Sequence, residues 1–344
     1  MQHSTGMRTT EPASMTPHTL AADPGLHHAP ALIGDIGGTH ARFAVLESGV
    51  ISRVEVLASA DYAGVVEAAA AYLERVGRPT VASAALAVAT PVDGDTVAFT
   101  NLPWAFSIEQ VRKALRVQHL RVVNDFAALA RAVPLLHAGD AQHLCGAAAS
   151  DAPPFAPRLV LGPGTGLGMA CVTRVGERWH VLPGEGGHAT LAPHLAQDMD
   201  LIRLLWQRYP HVSAERVLCG PGLALLYRSL AQIAGVAVDP ALDAPAIATI
   251  AGEQRDTLAL ETIRTFCRLL GGVAGNAVLT MGATGGVYLA GGVLQKLGTL
   301  FDADAFRAGF TAKGRFSDYV ARVPVLRITH PQPALLGAAA LLRE

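Results

Sequence analysis

The sequence predicts two related α/β domains with a cleft between them. Three observations carry this. A strand, glycine turn, strand, strand, helix opening occurs twice, once from Ala31 and again from Arg158. In each copy a Gly-rich turn separates the first two strands: Asp35-Ile36-Gly37-Gly38-Thr39 in one, Gly162-Pro163-Gly164-Thr165-Gly166 in the other. The chain has 344 residues, enough for two domains, and 51% hydrophobic against 16% charged residues, enough to fill two cores.

Taken in order, Ala31–Ile36, Ala41–Glu47 and Ile51–Leu57 are short β-like runs, followed by a helical stretch over Tyr62–Val76. Ala82–Val88 is an apolar run suited to a buried strand. Ser107 predicts an N-cap for a helix through Leu115, with Glu109 and Gln110 in its first turn. His119–Val123 is a strand closed by Asn124-Asp125, and the helix that follows stops before Pro134, since the residue preceding proline avoids the helical region.

Ala147–Pro157, with three prolines, reads as a linker. The second opening follows: Arg158–Leu161, Leu167–Thr173 and Arg178–Leu182. Longer helices are expected over Ala196–Arg208, Gly222–Ala234 and Asp256–Leu279. Val287–Ala290 is a strand running into Gly291-Gly292, Pro324–Ile328 a last strand and Ala334–Leu342 a last helix.

Composition excludes several classes. Net charge is −1, so no basic excess points to nucleic acid or to an anionic membrane. No apolar run reaches the roughly 20 residues a membrane span needs. Cys145, Cys171, Cys219 and Cys267 form no CxxC pair, which argues against a zinc knuckle and fits buried thiols in a reducing cytosol. Met1–Pro30 lacks the basic start and apolar core of a signal peptide and reads as a disordered extension, with Met7 and Met15 as alternative starts.

A Gly-rich turn between strands can bring backbone N–H groups close to an anion because no Cβ intervenes, and the threonines add hydroxyl donors. One such turn is commonly just a hairpin. Two at matching places in repeated halves suggest a pair of loops gripping one polyphosphate, and hence phosphoryl transfer. The chain has no Gly-Lys dipeptide and so no Walker A loop. Gly162 to Gly168 resembles GxGxxG only superficially: its third glycine is out of register and it leads into a strand, not a helix.

Four further sites stand out. Asp35 ends a strand beside the first turn, where a carboxylate can hold Mg²⁺ directly or through water, or simply cap its own turn. Asn124-Asp125 closes a strand and opens a helix, which suits either an N-cap or a general base facing a cleft. Glu185-Gly186-Gly187-His188 sets an acid and an imidazole on a flexible loop able to reach a small polar ligand, and no nearby Cys or second His completes a metal shell. Glu215, on its own, reads as a solvated helix residue.

Together these segments resemble the bacterial glucokinase family of the hexokinase and actin-like superfamily. The matching segments are Gly34-Asp35-Ile36-Gly37-Gly38-Thr39-His40-Ala41-Arg42-Phe43, Thr100-Asn101-Leu102-Pro103-Trp104, Val123-Asn124-Asp125-Phe126, the second turn through Gly168, and Pro183-Gly184-Glu185-Gly186-Gly187-His188. Glu215 to Gly222, Tyr288-Leu289-Ala290-Gly291-Gly292 and Pro331 to Gly337 follow in the same order, so the likeness runs from Ala31 to Glu344.

The resemblance implies a two-domain, actin-like ATPase (ribonuclease H-like) fold with an interdomain cleft. A small domain would span 31–135, completed by 326–344, and a large domain 136–325. It implies transfer of the γ-phosphate of ATP to the 6-hydroxyl of D-glucose, with Asp125 as catalytic base. Asn124, Asp125, Glu185, His188 and Glu215 would bind the sugar. Gly34, Asp35, Ile36, Gly37, Gly38 and Thr39 would handle phosphate and Mg²⁺, the metal held by Asp35 through water. Gly164, Thr165 and Gly166 would form the second phosphate loop, and Gly291 and Gly292 would border the adenosine. A cytoplasmic homodimer is implied as well. The related ROK sugar kinases carry a Cys-rich zinc motif shortly after the corresponding His; here no Cys lies between His188 and Cys219, so no zinc is expected. The alternatives are a kinase for another hexose or amino sugar, a non-catalytic sugar-binding regulator, and an actin-like ATPase acting on a protein partner.

Overall fold

The computed structural model describes residues 29–99, 102–253 and 256–343. Residues 1–28 of the expected N-terminal extension lie outside the described residues, as do Thr100 and Asn101 of the Thr100 to Trp104 segment.

The first half holds β1 (Ala31–Ile36), β2 (His40–Glu47), β3 (Val50–Ala58), α1 (Val65–Arg75), β4 (Ser83–Val88), β5 (Thr96–Ala98), β6 (Ala105–Ser107), α2 (Ile108–Ala114), β7 (His119–Asn124) and α3 (Asp125–Ala132). Five strands form one sheet in the order β3-β2-β1-β4-β7. β1, β2 and β3 are antiparallel neighbours joined by tight turns. β4 lies parallel to β1, and β7 parallel to β4, because helices α1 and α2 make the crossovers that parallel pairing requires. Ser107 caps α2 as expected, accepting the Gln110 N–H at 3.1 Å. The β5–β6 hairpin was not foreseen: two three-residue strands are too short to show a period.

The second half holds β8 (Ala141–Cys145), β9 (Arg158–Pro163), β10 (Leu167–Val175), β11 (Arg178–Gly184), α4 (Ala196–Trp206), α5 (Gly220–Ala234), α6 (Ala244–Gly252), α7 (Thr257–Met281), β12 (Val287–Leu289), α8 (Gly292–Leu297), α9 (Ala303–Thr311), α10 (Ser317–Ala321), β13 (Val325–Ile328) and α11 (Pro333–Leu341). Its sheet runs β11-β10-β9-β12-β13-β8. The proline-rich 147–157 stretch joins β8 to β9, strands of one sheet. β13 also pairs in this sheet, with β12 and β8.

The period-2 alternation of β1 splits its side chains between two cores. Leu32 and Ile36 pack with Val65, Ala69 and Tyr72 of α1. Ala31 and Ile33 pack with Leu335, Leu336 and Ala339 of α11. α11 lies on α3, β1 and β4, while α3 also contacts β9, β10 and β11. Leu129 and Val133 accordingly share a cluster with Val160, Ala170 and Val172 of the second sheet. α3 and α11 are thus layered between the two sheets, and the N-terminus of α3 falls where the sheets face each other. No described helix is long and apolar enough to cross a membrane.

Candidate active site

The first glycine turn hangs on β1 and β2. Gly37 N–H donates to the His40 carbonyl at 2.9 Å, closing the hairpin. Ser59, fully buried, braces it twice: its hydroxyl donates to the Gly37 carbonyl at 3.0 Å and its N–H to the Thr39 carbonyl at 3.0 Å. Gly34 and Ile36, grouped with this turn from sequence, lie buried inside β1. A Cβ on Gly34 would stand 2.7 Å from Leu86, so that glycine is small for packing. Gly37, Gly38 and Thr39 form the accessible part of the turn.

Asp35 lies on the same face of β1 as Ala31 and Ile33, the face that carries α3 and α11. Its cross-strand neighbour is Arg42, whose Nη1 donates to Oδ2 at 3.2 Å. Burial pushes the Asp35 carboxyl up, and the Arg42 guanidinium works against that.

Strand pairing then places Asp125. Ile36, Val88 and Asn124 sit side by side on β1, β4 and β7, so Asp35 and Asp125 emerge at the same edge, the C-terminal ends of parallel strands, where open α/β sheets bind ligands. Asn124 is the N-cap of α3: its Oδ1 accepts from the Phe126 and Ala127 N–H groups at 2.9 and 3.3 Å, and its Nδ2 donates to the Thr90 carbonyl at 3.3 Å. The Asn124 side chain also hydrogen-bonds the Asp125 carboxyl, which favours its charged form. Asp125 is the first residue of α3. Burial, with the negative charge of Asp35 second, pushes its carboxyl up to about 7 against the opposing pull of the helix N–H groups. A carboxyl poised there can accept a proton near neutral pH.

Beyond β11, Glu185 and a single 3₁₀ turn, Gly186–His188, form the second loop. His188 stands between two acids: Nε2 is 4.0 Å from Glu185 Oε2 and Nδ1 is 3.8 Å from Glu215 Oε1. Glu215 is therefore not the solvated helix residue its local sequence suggests. It sits before α5, 31% exposed, facing this loop.

The second glycine turn, between β9 and β10, is crowded on all sides but one. A Cβ on Gly162 would lie 2.6 Å from the Ala290 carbonyl, one on Gly166 2.4 Å from Glu215 Oε2, and one on Gly168 1.9 Å from the Phe126 ring. Only Gly164 of these four meets nothing within 4 Å. Thr165 between them is exposed. Gly291, at φ +99°, approaches Pro163, and Gly292 beside it opens α8 with free space around it. The turn, the N-terminus of α3, Glu215 and the 291–292 pair thus meet at one place.

Sequence reasoning missed three residues here. Ser59 gave no signal, being one serine after a strand. Phe126 was given no role of its own, yet its ring joins the Asp125 helix to Gly162 and Gly168. Gly220 donates its N–H to the Gly164 carbonyl at 2.9 Å, setting the N-terminus of α5 against the turn. The Gly220-Pro221-Gly222 run, with proline in the first helical turn, was the available clue.

The family profile described as glucokinase matches residues 32–344. A glucokinase of Aromatoleum aromaticum is 47% identical over 318 residues, covering 91% of this chain and 94% of its own. One from Marinobacter nauticus is 44% identical over 315 residues, covering 91% and 97%. The crystal structure of a glucokinase from an Antarctic psychrotroph superposes with a TM-score of 0.83 at 36% identity, covering 92% of this chain and 99% of that one.

Proposed function

The chain belongs to the bacterial glucokinase family of ATP-dependent hexose kinases, and from that premise we propose that Asp125 is the base that takes the proton of the D-glucose 6-hydroxyl as the γ-phosphoryl group is transferred. One observation carries the assignment: Asp125, poised near 7, starts a helix whose next residue, Phe126, rests on Gly168, beside the turn that Glu215 holds. Base, phosphate turn and hydroxyl-binding residues are therefore neighbours.

In this reading Glu185, His188, Glu215 and Asn124 bind the sugar hydroxyls, and each polar contact helps to select the sugar. Gly37, Gly38 and Thr39 face the phosphates from one side, and Gly164, Thr165 and Gly166 from the other. Gly291-Gly292 borders the adenosine. Asp35 and Asp125 bring two carboxylates to one strand edge with Arg42 as the cation beside them, a charge balance that suits a Mg²⁺ held by few protein ligands and several waters. Asp35 would hold that ion, which when bound neutralises charge on the transferring phosphoryl group. Around it the protein's work is positioning: Asn124 and the α3 N-terminus fix the Asp125 carboxylate, and Ser59 fixes the first turn.

Residues 31–135 with α11 form a small domain and 136–328 a large one, and the enzyme is a cytoplasmic homodimer; both statements rest on the family likeness. A coupled assay of sugar 6-phosphate with MgATP over glucose, mannose, galactose, fructose, N-acetylglucosamine and N-acetylmannosamine tests the whole. A sugar that inverts or lacks one contacted hydroxyl should lose roughly one to two decades of kcat/KM, because a buried polar group is left unpaired. Equal rates with glucose, mannose and galactose would sink the hydroxyl assignments.

A further inference from the structure

Glu215 follows Leu167 by 48 residues yet ties three pieces of backbone together. Its N–H donates to the Gly187 carbonyl at 2.8 Å. Its Oε2 accepts the Leu167 N–H at 2.8 Å, at the exit of the second glycine turn. Its Oε1 faces His188 Nδ1 at 3.8 Å. The two loops also touch directly, since a Cβ on Gly187 would lie 2.1 Å from the Leu167 carbonyl. Gly166 leaves room for the carboxylate: a Cβ there would stand 2.4 Å from Oε2.

Within the turn, Gly164 N–H donates to the Gly166 carbonyl at 2.7 Å, and the Gly164 carbonyl accepts from Gly220 at 2.9 Å. The α5 N-terminus thus holds the entry, while at the exit Leu167 and Gly168 pair with Pro163 and Gly162 of β9 and Glu215 Oε2 takes the Leu167 N–H. The other oxygen of that same carboxylate points at the sugar loop.

We propose that Glu215 couples the two substrates: Oε2 sets the shape of the nucleotide turn while Oε1 is presented, beside His188, to a sugar hydroxyl. This deepens the assignment of Glu185, His188 and Glu215 to the sugar and of 164–166 to phosphate, and rests on it. The physical link is the rigidity of a carboxylate. Its two oxygens share one plane, so a hydroxyl that fixes Oε1 also fixes the orientation of Oε2 on Leu167 N–H. An empty sugar site leaves the group free to turn about Cγ–Cδ, and the turn then has a less constant partner. Binding coupling is reciprocal, so the nucleotide must tighten the sugar by the factor by which the sugar tightens the nucleotide.

The test measures binding without turnover. The dissociation constant of MgADP is read by calorimetry with and without saturating glucose, in the wild type, Glu215→Ala, Glu215→Gln and Glu185→Ala. Glucose should tighten MgADP in the wild type by a factor in the range of about 5–150, the usual span of such couplings. Glu215→Ala should lose that factor and, with no sugar present, still bind MgADP about 5-fold or more weakly, since the turn exit has lost its acceptor. Glu215→Gln retains an acceptor for Leu167 N–H, so its sugar-free MgADP affinity should stay near wild type while its response to glucose falls. Glu185→Ala should weaken glucose but keep the coupling factor at saturation.

A residue that merely binds sugar would leave sugar-free MgADP affinity untouched in Glu215→Ala, and that result overturns the proposal. So does a full coupling factor in Glu215→Gln. If Glu185→Ala and Glu215→Gln both bind glucose as the wild type does, the sugar assignment itself fails, and the coupling proposal falls with it. Melting temperatures of all four proteins report whether any variant is unfolded, and Glu215→Gln keeps the test decisive if Glu215→Ala is.

Discussion

The two glycine turns look alike in sequence and are built on opposite plans. The first, Gly37–Thr39, is an open hairpin tip: its backbone is braced from below by Ser59, and the charges beside it, Asp35 and Arg42, sit on the flanking strands. The second, Gly162–Gly168, is a meeting point. Three of its four glycines are small because something else is already there: the Ala290 carbonyl, the Glu215 carboxylate and the Phe126 ring. A glycine-rich turn can therefore be glycine-rich to admit a ligand or to admit the protein, and the pattern alone does not tell which.

Asp125 lies between the two plans, and its removal should have the largest effect. Asp125→Ala is expected to lower kcat by about 10²–10⁴-fold, the usual worth of a general base. A variant keeping more than about a tenth of wild-type kcat would take Asp125 out of that role. The pH profile sharpens the point. With the carboxyl at about 7, kcat/KM should fall on the acid side of that value, where the base is protonated. The stability sign follows from the same shift. The folded chain favours the neutral form, so stability is highest below the ordinary value of 3.8 and is lost as pH rises through about 7. Asp125→Asn, neutral throughout, should therefore gain on the wild type as pH climbs between those values. A melting-temperature difference between the two that does not change with pH would contradict the charge environment described.

The crowded turn predicts a contrast within one motif. Gly168→Ala puts a methyl 1.9 Å from the Phe126 ring, a clash that must move the ring or β10. Overpacking of this kind costs about 1–3 kcal/mol, and because Phe126 follows the base, kcat should fall along with stability. Gly164→Ala meets nothing within 4 Å and should leave the melting temperature near wild type while weakening MgATP. Denaturant midpoints and kcat/KM of the two variants decide it. If Gly164→Ala were the more destabilised, the turn would be crowded where the structure is open.

The same contrast explains what could be read in advance. The repeated strand–turn–strand opening, the Ser107 cap and the helix ending before Pro134 were legible because local chemistry decides them. Asp35 and Asp125 were legible as strand-end carboxylates, though their mutual placement rests on the Ile36, Val88 and Asn124 register. Glu215 was not, because its partners lie on β10 and at Gly187, far away in sequence. β8 escaped because its alternation is weak: only Cys145 of its five residues is buried.

The smallest expected effect belongs to the brace of the first turn. Ser59→Ala removes one hydroxyl and nothing else from a fully buried position, and leaves the Gly37 carbonyl without that donor. The backbone bond from Ser59 to Thr39 survives, so half the brace remains. A net loss of about 0.5–1.5 kcal/mol is expected in urea unfolding. If the open turn depends on this brace for its shape, KM for MgATP should rise while kcat stays close to wild type, since Asp125 and its helix are untouched. If KM does not move although stability falls, the turn keeps its shape through the Gly37–His40 hairpin bond alone, and the two turns would then differ in crowding but not in how much support they need.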